Sequence, residues 1–127
     1  MRGWQEPSLL DMARTIAVAR LLLPTMNIQA PPNLTPEAYQ LYLLAGINDW
    51  GGVSPVTGDF INPEAPWPTI AELKAVSEEA GFELRERLAI YPEYLSLQDG
   101  FVRESLRQRI SAWTDHDGYV RREKERW

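Results

Sequence analysis

The 127-residue chain contains no cysteine and a single histidine, His116. The first absence excludes disulfides, cysteine-ligated zinc, iron–sulfur ligation and thiol nucleophiles from this stretch. The second leaves little room for histidine metal sites or triads. Basic residues are scarce beside acidic ones, 13 Lys+Arg against 18 Asp+Glu, a formal net charge of −5. Phosphate binding needs a basic stripe, so nucleic acid is a poor partner. The basic cluster Arg121, Arg122, Lys124 and Arg126 is interleaved with Glu123 and Glu125; mixed signs describe a solvated charged tail over 121–127. The longest apolar run, Ile16 to Leu23, is broken by Arg20 and falls far short of the ~20 residues that cross a bilayer. The start, Met1 to Pro7, lacks the apolar segment of a signal peptide. A cytoplasmic protein with no membrane partner is expected.

Hydrophobic residues make up 44% and charged residues 24%, enough to bury a core and to exclude overall disorder. Pro7-Ser8 opens a helix with Ser8 placed to cap Asp11; Leu9, Met12, Ala13, Ile16, Ala17 and Leu21 form its stripe, and Pro24 ends it. Asn27-Ile28-Gln29-Ala30 reads as a short strand stopped by Pro31-Pro32. Thr35 is placed to cap a second helix with Pro36 first, inner face Ala38, Leu41, Tyr42 and Ala45, and stop at Gly46. Ile47-Asn48-Asp49-Trp50 is a second strand running into Gly51-Gly52. Val53 to Pro68 is a proline-rich ordered loop. Thr69 and Glu72 form a capping box for a third helix, with Ile70, Leu73, Val76 and Ala80 inward and a stop at Gly81. Phe82 to Ile90 contains a third strand, Phe101 to Trp113 a fourth helix, and Tyr119-Val120 a last short strand. Alternation of this kind predicts an α/β fold with about three parallel strands. A complete eight-stranded barrel takes ~250 residues, so this stretch is incomplete as a barrel.

In such folds ligands bind at the carboxyl ends of strands. Those ends are Gln29 to Asn33, Asn48 to Ser54, and Arg87 to Tyr94. Gly51-Gly52 admits either a ligand or a tight turn. Asn48 and Asp49 point to opposite faces, so one lines an interior while the other braces the outer layer. Arg85 and Arg87 share a face, suited to a carboxylate or carbonyl ligand or to bridges with Glu83, Glu86 or Glu93. Tyr91, Tyr94, Trp50 and Trp67 suit an aromatic ligand or a core. His116 reads as a turn residue.

An ordered series then stands out: Asn27 to Leu34, Ala45 to Thr57, Ile61 to Pro68, Glu86-Arg87-Leu88 and Tyr91 to Tyr94, with Glu6 to Leu9 and Thr15 to Arg20 before them. Together they resemble the C-terminal third of the radical S-adenosylmethionine family of 7,8-didemethyl-8-hydroxy-5-deazariboflavin synthases, the cofG-type subunit of FO synthase. The resemblance implies that residues 1–120 are the C-terminal portion of a radical SAM (β/α) barrel. It implies S-adenosylmethionine and a 4Fe-4S cluster held by three cysteines near the start of the full protein. It also implies a 5′-deoxyadenosyl radical that closes the deazaflavin ring of coenzyme F-420, with loss of ammonia, from a hydroxybenzyl-ribityl-uracil adduct. This chain has no cluster ligands, so it is expected to be inactive alone. Expected partners are the N-terminal radical SAM portion, in cis or trans, the sister subunit that supplies the adduct, and the small-molecule substrate. Exposed strand edges and apolar faces predict self-association. From strand-end position, Gln29, Asn33, Asn48, Asp49, Gly51, Gly52 and Arg87 are the candidate substrate contacts. Two other readings stand beside this one: a self-associating binding module derived from a barrel piece, and a cofactor-free lyase or isomerase piece with Asp49 or Glu93 as base.

Overall fold

The computed structural model describes residues 7–54, 57–96 and 100–125. Glu6 of the opening motif, Pro55-Val56 of the loop, and Arg126 lie outside them. The chain forms two compact units, Met1–Glu83 and Leu84–Trp127.

The first unit begins with α1, Leu9–Leu22. Ser8 Oγ accepts from the Asp11 amide at 3.2 Å, and Asp11 Oδ2 accepts from the Ser8 amide at 3.2 Å. This reciprocal box satisfies two amides the helix cannot. It also holds the Asp11 carboxyl below its ordinary range. The stripe is narrower than the periodicity predicts. Ala13 is buried and Leu9 and Ile16 pack on the core, whereas Met12 and Leu21 are exposed.

β1 (Gln29–Ala30) and β2 (Asp49–Trp50) pair in parallel, Gln29 opposite Asp49 and Ala30 opposite Trp50. Asn48 N donates to Ile28 O and Gly51 N to Ala30 O, at 3.1 and 3.0 Å, extending the ladder at both ends. Between the strands, Pro32–Leu34 and Pro36–Ala38 are single 3₁₀ turns and α2 spans Tyr39–Ala45. The expected Thr35 cap is absent: Thr35 has ψ 61°, and its side chain makes no capping bond. A cap of that kind needs extended backbone, which the 3₁₀ turns on either side of Thr35 do not leave it. The helix therefore starts later and turns Tyr39, Tyr42 and Leu43 inward, leaving Leu41 exposed. Gly46 closes it with φ 115°, as the sequence predicts.

Ala30, Ala38, Tyr42, Leu43 and Ile47 make the core, with Ile28 and Trp50 packed against it. One face of the parallel pair is thus covered by helix. α3, Ile70–Glu79, opens with the predicted Thr69–Glu72 box, Thr69 N to Glu72 Oε2 at 2.7 Å, and buries Leu73 and Ser77.

The second unit departs from the predicted order. The third parallel strand is not formed: of residues 82–90, only Arg87 makes a sheet contact, an antiparallel bridge to Tyr119. One alternating set carries Glu83, Arg85 and Arg87, and the other (Phe82, Leu84, Leu88 and Ile90) is interrupted by Glu86, so the segment cannot be covered on both faces as a strand of a parallel sheet is. Arg85 instead ties the segment to the chain end, bonding Asp115 Oδ2 at 2.8 Å and Glu125 Oε1 at 3.2 Å. Pro92 to Tyr94, read as part of the strand end Arg87 to Tyr94, instead open the short helix α4, Pro92–Ser96. α5 spans Glu104–Trp113. Tyr119 and Val120 make single antiparallel bridges, to Arg87 and Thr114, in place of a strand. The charged segment is partly fastened: Arg121 N donates to Trp113 O at 2.9 Å, and Glu125 is taken up by Arg85. Among the described residues no helix is long and apolar enough to cross a membrane.

Candidate functional site

The two faces of the parallel pair differ in chemistry. Ile28, Ala30 and Trp50 lie on the face covered by the core. Gln29 and Asp49, one residue out of phase, lie on the other. They are paired in register, and Gln29 Nε2 donates to Asp49 Oδ2 at 2.6 Å. The face turned away from the helices is therefore polar.

Asn48 takes the alternative role the alternation allows. Its Oδ1 accepts from Ile28 N at 2.8 Å and from Arg20 Nη2 at 3.2 Å, and its Nδ2 donates to Asn27 Oδ1 at 2.6 Å. Arg20 goes further, donating to the carbonyls of Gly46, Pro24 and Met26 at 2.8, 2.9 and 2.7 Å. Asn48 and Arg20 together brace α1 against both strands. The sequence marks Arg20 as an interruption of an apolar run; a cation inside an amphipathic helix beside a strand-forming segment is the signal for such a brace.

At the carboxyl end of the pair, Gly51 is buried beside Gln29. A Cβ on Gly51 would collide with the Gln29 side chain. Gly52 has φ 76°, and a Cβ there would stand 3.3 Å from the Trp67 ring. Both glycines are needed for close approach by the protein's own side chains. Asn33, in the turn after β1, is buried. Its Nδ2 donates to Asp59 Oδ2 at 2.8 Å and to Ala65 O at 2.9 Å, joining the proline-rich loop to the strand end. Asp59 is the centre of that loop. Its Oδ1 accepts from the amides of Ile61 and Asn62, and its Oδ2 also accepts from Asn62 Nδ2. These bonds, the two from Asn62 foremost, lower its pKa to about 2. Sequence reasoning missed Asp59; an aspartate two and three residues before Ile61-Asn62-Pro63 is the mark of an Asx turn. Three buried polar atoms, Asn33 Oδ1, Tyr42 Oη and Trp50 Nε1, have no hydrogen-bonding partner among the described residues.

Gln29, Asn33, Asn48, Asp49, Gly51 and Gly52 are thus gathered at one strand pair in the first unit. Arg87 belongs to the second unit. There its guanidinium lies 4.1 Å from the centre of the Tyr91 ring, and Nη1 donates to Leu88 O at 2.8 Å. Trp50 meets Tyr39 edge-on at 5.3 Å, and Tyr94 lies against Phe101 at 5.1 Å, so these rings are used in packing. Glu93 lines an open hollow of about 330 Å³ with Pro92 and the Asp115–Gly118 turn, where His116 is exposed and 3.2 Å from Asp117. With no cysteine in the chain, the residues present do not fit an iron–sulfur cluster.

A parallel pair with helices on one face and a polar opposite face is compatible with an α/β fold, in which ligands sit at strand ends. Curated relatives narrow the class. The chain is 52% identical over 121 residues to the 7,8-didemethyl-8-hydroxy-5-deazariboflavin synthase of Methanopyrus kandleri, covering 95% of this chain and 36% of that protein. It is 48% identical over 110 residues to the synthase of the same name from Methanothermobacter thermautotrophicus, covering 87% and 33%. It is 46% identical over 124 residues to the FO synthase of Streptomyces coelicolor, covering 97% and 14%. The chain is a homologue of part of the 7,8-didemethyl-8-hydroxy-5-deazariboflavin synthases, spanning about a third or less of the length of these relatives. No family model matches it, and no solved structure does.

Proposed function

We propose that this chain is the part of an FO synthase that walls the organic substrate, a hydroxybenzyl-ribityl-uracil adduct, in a radical SAM (β/α) barrel. The observation that carries this reading is the Gln29–Asp49 pair on the face away from the helices. In a β/α barrel the helices lie outside and the opposite face of each strand points inward, where branched apolar side chains normally fill the space. A carboxylate and an amide in their place suit a polar ligand. Gln29, Asp49 and Asn33 are the contacts, Gly51 and Gly52 hold the strand end close to Gln29 and Trp67, Asn48 acts as a brace, and Arg87 remains a candidate from the second unit. No step of the chemistry is assigned to these residues.

S-adenosylmethionine and the 4Fe-4S cluster belong to the rest of the relatives' length, present in cis or in trans, and a sister subunit supplies the adduct in the cytoplasm. Alone, the chain is inactive. Exposed Leu21, Leu22 and Leu44, at 82%, 73% and 71%, favour self-association or coverage by that remaining portion. The test combines the chain with the N-terminal two-thirds of a relative, with iron and sulfide restored anaerobically. Cyclised deazaflavin and 5′-deoxyadenosine are expected from the mixture and from neither part alone. A well-folded mixture that makes neither product overturns the reading; a self-associated chain in that same outcome favours a binding module.

A further inference from the structure

Asn33 carries a conflict that the loop geometry does not resolve. Both neighbours of its Nδ2, Asp59 Oδ2 and Ala65 O, are acceptors. The amide is therefore fixed in one orientation, because flipping it would set oxygen against oxygen. Its Oδ1 is consequently an acceptor, is buried, and receives no hydrogen from any described residue. Asn33 as a whole is only 5% exposed. A buried acceptor left unmet is costly, and native proteins keep few of them.

We propose that Asn33 Oδ1 accepts a hydrogen bond from an N–H or O–H of a neutral polar ligand, and that Asp59 is the positioning residue that presents this oxygen. The proposal rests on the substrate-wall reading above and deepens it by naming what the wall recognises: a donor, from an imide N–H or a polyol hydroxyl. A carboxylate or phosphate does not suit the site, since its negative charge would stand against that of Asp59 and the acceptor Oδ1. Asp59→Asn tests the positioning. The new amide would face the Asn33 amide donor to donor, while turning the Asn33 side chain over would set its Oδ1 against Ala65 O, so neither orientation is satisfied and Oδ1 is no longer held in place.

The experiment uses the ¹⁵N-labelled chain and reads the Asn33 side-chain amide by NMR. The probes are uracil, ribitol, doubly N-methylated uracil without N–H groups, and the whole adduct. Uracil or ribitol is expected to shift the Asn33 amide signals and slow their exchange, the responding probe identifying the donor. Doubly methylated uracil is expected to leave them unchanged. Asp59→Asn should weaken the response at least tenfold while the dispersed spectrum is retained, and Asn33→Leu should abolish probe-induced shifts at Asp59 and Ala65. An equal response to methylated uracil overturns the donor assignment. Shifts at Gln29, Asp49 and Gly51 with Asn33 unmoved overturn the role of Asn33 and leave the substrate wall standing. No shift anywhere, even with the whole adduct, overturns the substrate wall and this proposal with it.

Discussion

The two units hold themselves together by different physics. In the first, Ala13, Ala30, Ala38, Tyr39, Tyr42, Leu43, Ile47 and Leu73 are buried, and polar groups serve as caps and braces around them. In the second, Val120 is the buried hydrophobic residue among those described, and Arg85 does the organising. Its guanidinium meets Asp115 and Glu125, donates to Val120 O at 3.2 Å, and lies 5.3 Å from the Tyr119 ring centre. Apolar burial tolerates changes of pH and salt. A charge-centred cluster depends on every partner remaining ionised. The polar candidate contacts gathered on one strand pair stand on the first kind of support, which suits a site needing fixed geometry.

The largest effect that would test this contrast comes from the core. Leu73→Ala, at a position 1% exposed, should destabilise the first unit by about 2–5 kcal/mol, read as a shifted denaturation midpoint for its signals. A shift below about 1 kcal/mol would show that the core packing described here is not what supports this unit. Next, Arg85→Met should disperse the second unit's contacts, seen as loss of protection at the Val120 amide, which donates to Glu86 O at 2.8 Å. Retained protection would mean that apolar contacts alone hold that unit.

Acid should act on the proline-rich loop through Asp59. Its folded pKa is lowered, so its stabilising contribution is complete above the ordinary carboxylate value of about 4 and is lost as pH falls through about 2. The Ile61 and Asn62 amides should lose protection over that window, and Asp59→Asn should remove the pH dependence. Asp11, Glu72 and Asp115 are also lowered, each by hydrogen bonds to its carboxylate, so every unit should weaken with acid in the same direction. The smallest effect is expected at the caps. Thr69→Ala should cost about 1 kcal/mol in the thermal or denaturant stability of the first unit, and Thr69→Ser should restore most of it.

Much of the first unit was legible because its signals are local. Ser8 with Asp11, Thr69 with Glu72, and Gly46 after a helix each act within a few residues, and each sits where its chemistry places it. The parallel pairing followed from alternation, and the opposite roles of Asn48 and Asp49 from the two-residue period of a strand. What escaped was set by distant partners. Nothing near Arg85 announces Asp115 and Glu125, thirty and forty residues on, so an apolar-rich run with charge on both faces read as a strand. Asp59 was hidden in a loop without periodicity, and Arg20 looked like a flaw in a helix. The likeness to the synthases was legible from an ordered series of motifs, where no single motif was enough.

The Asp59 turn has one more consequence. It fixes a loop whose tip shows Phe60 and Ile61 at 88% and 89% exposure. The backbone that carries this bare aromatic and bare aliphatic side chain is tethered before anything touches it. Whatever surface docks there meets a pre-shaped wedge, so its association should proceed with little further ordering of this chain.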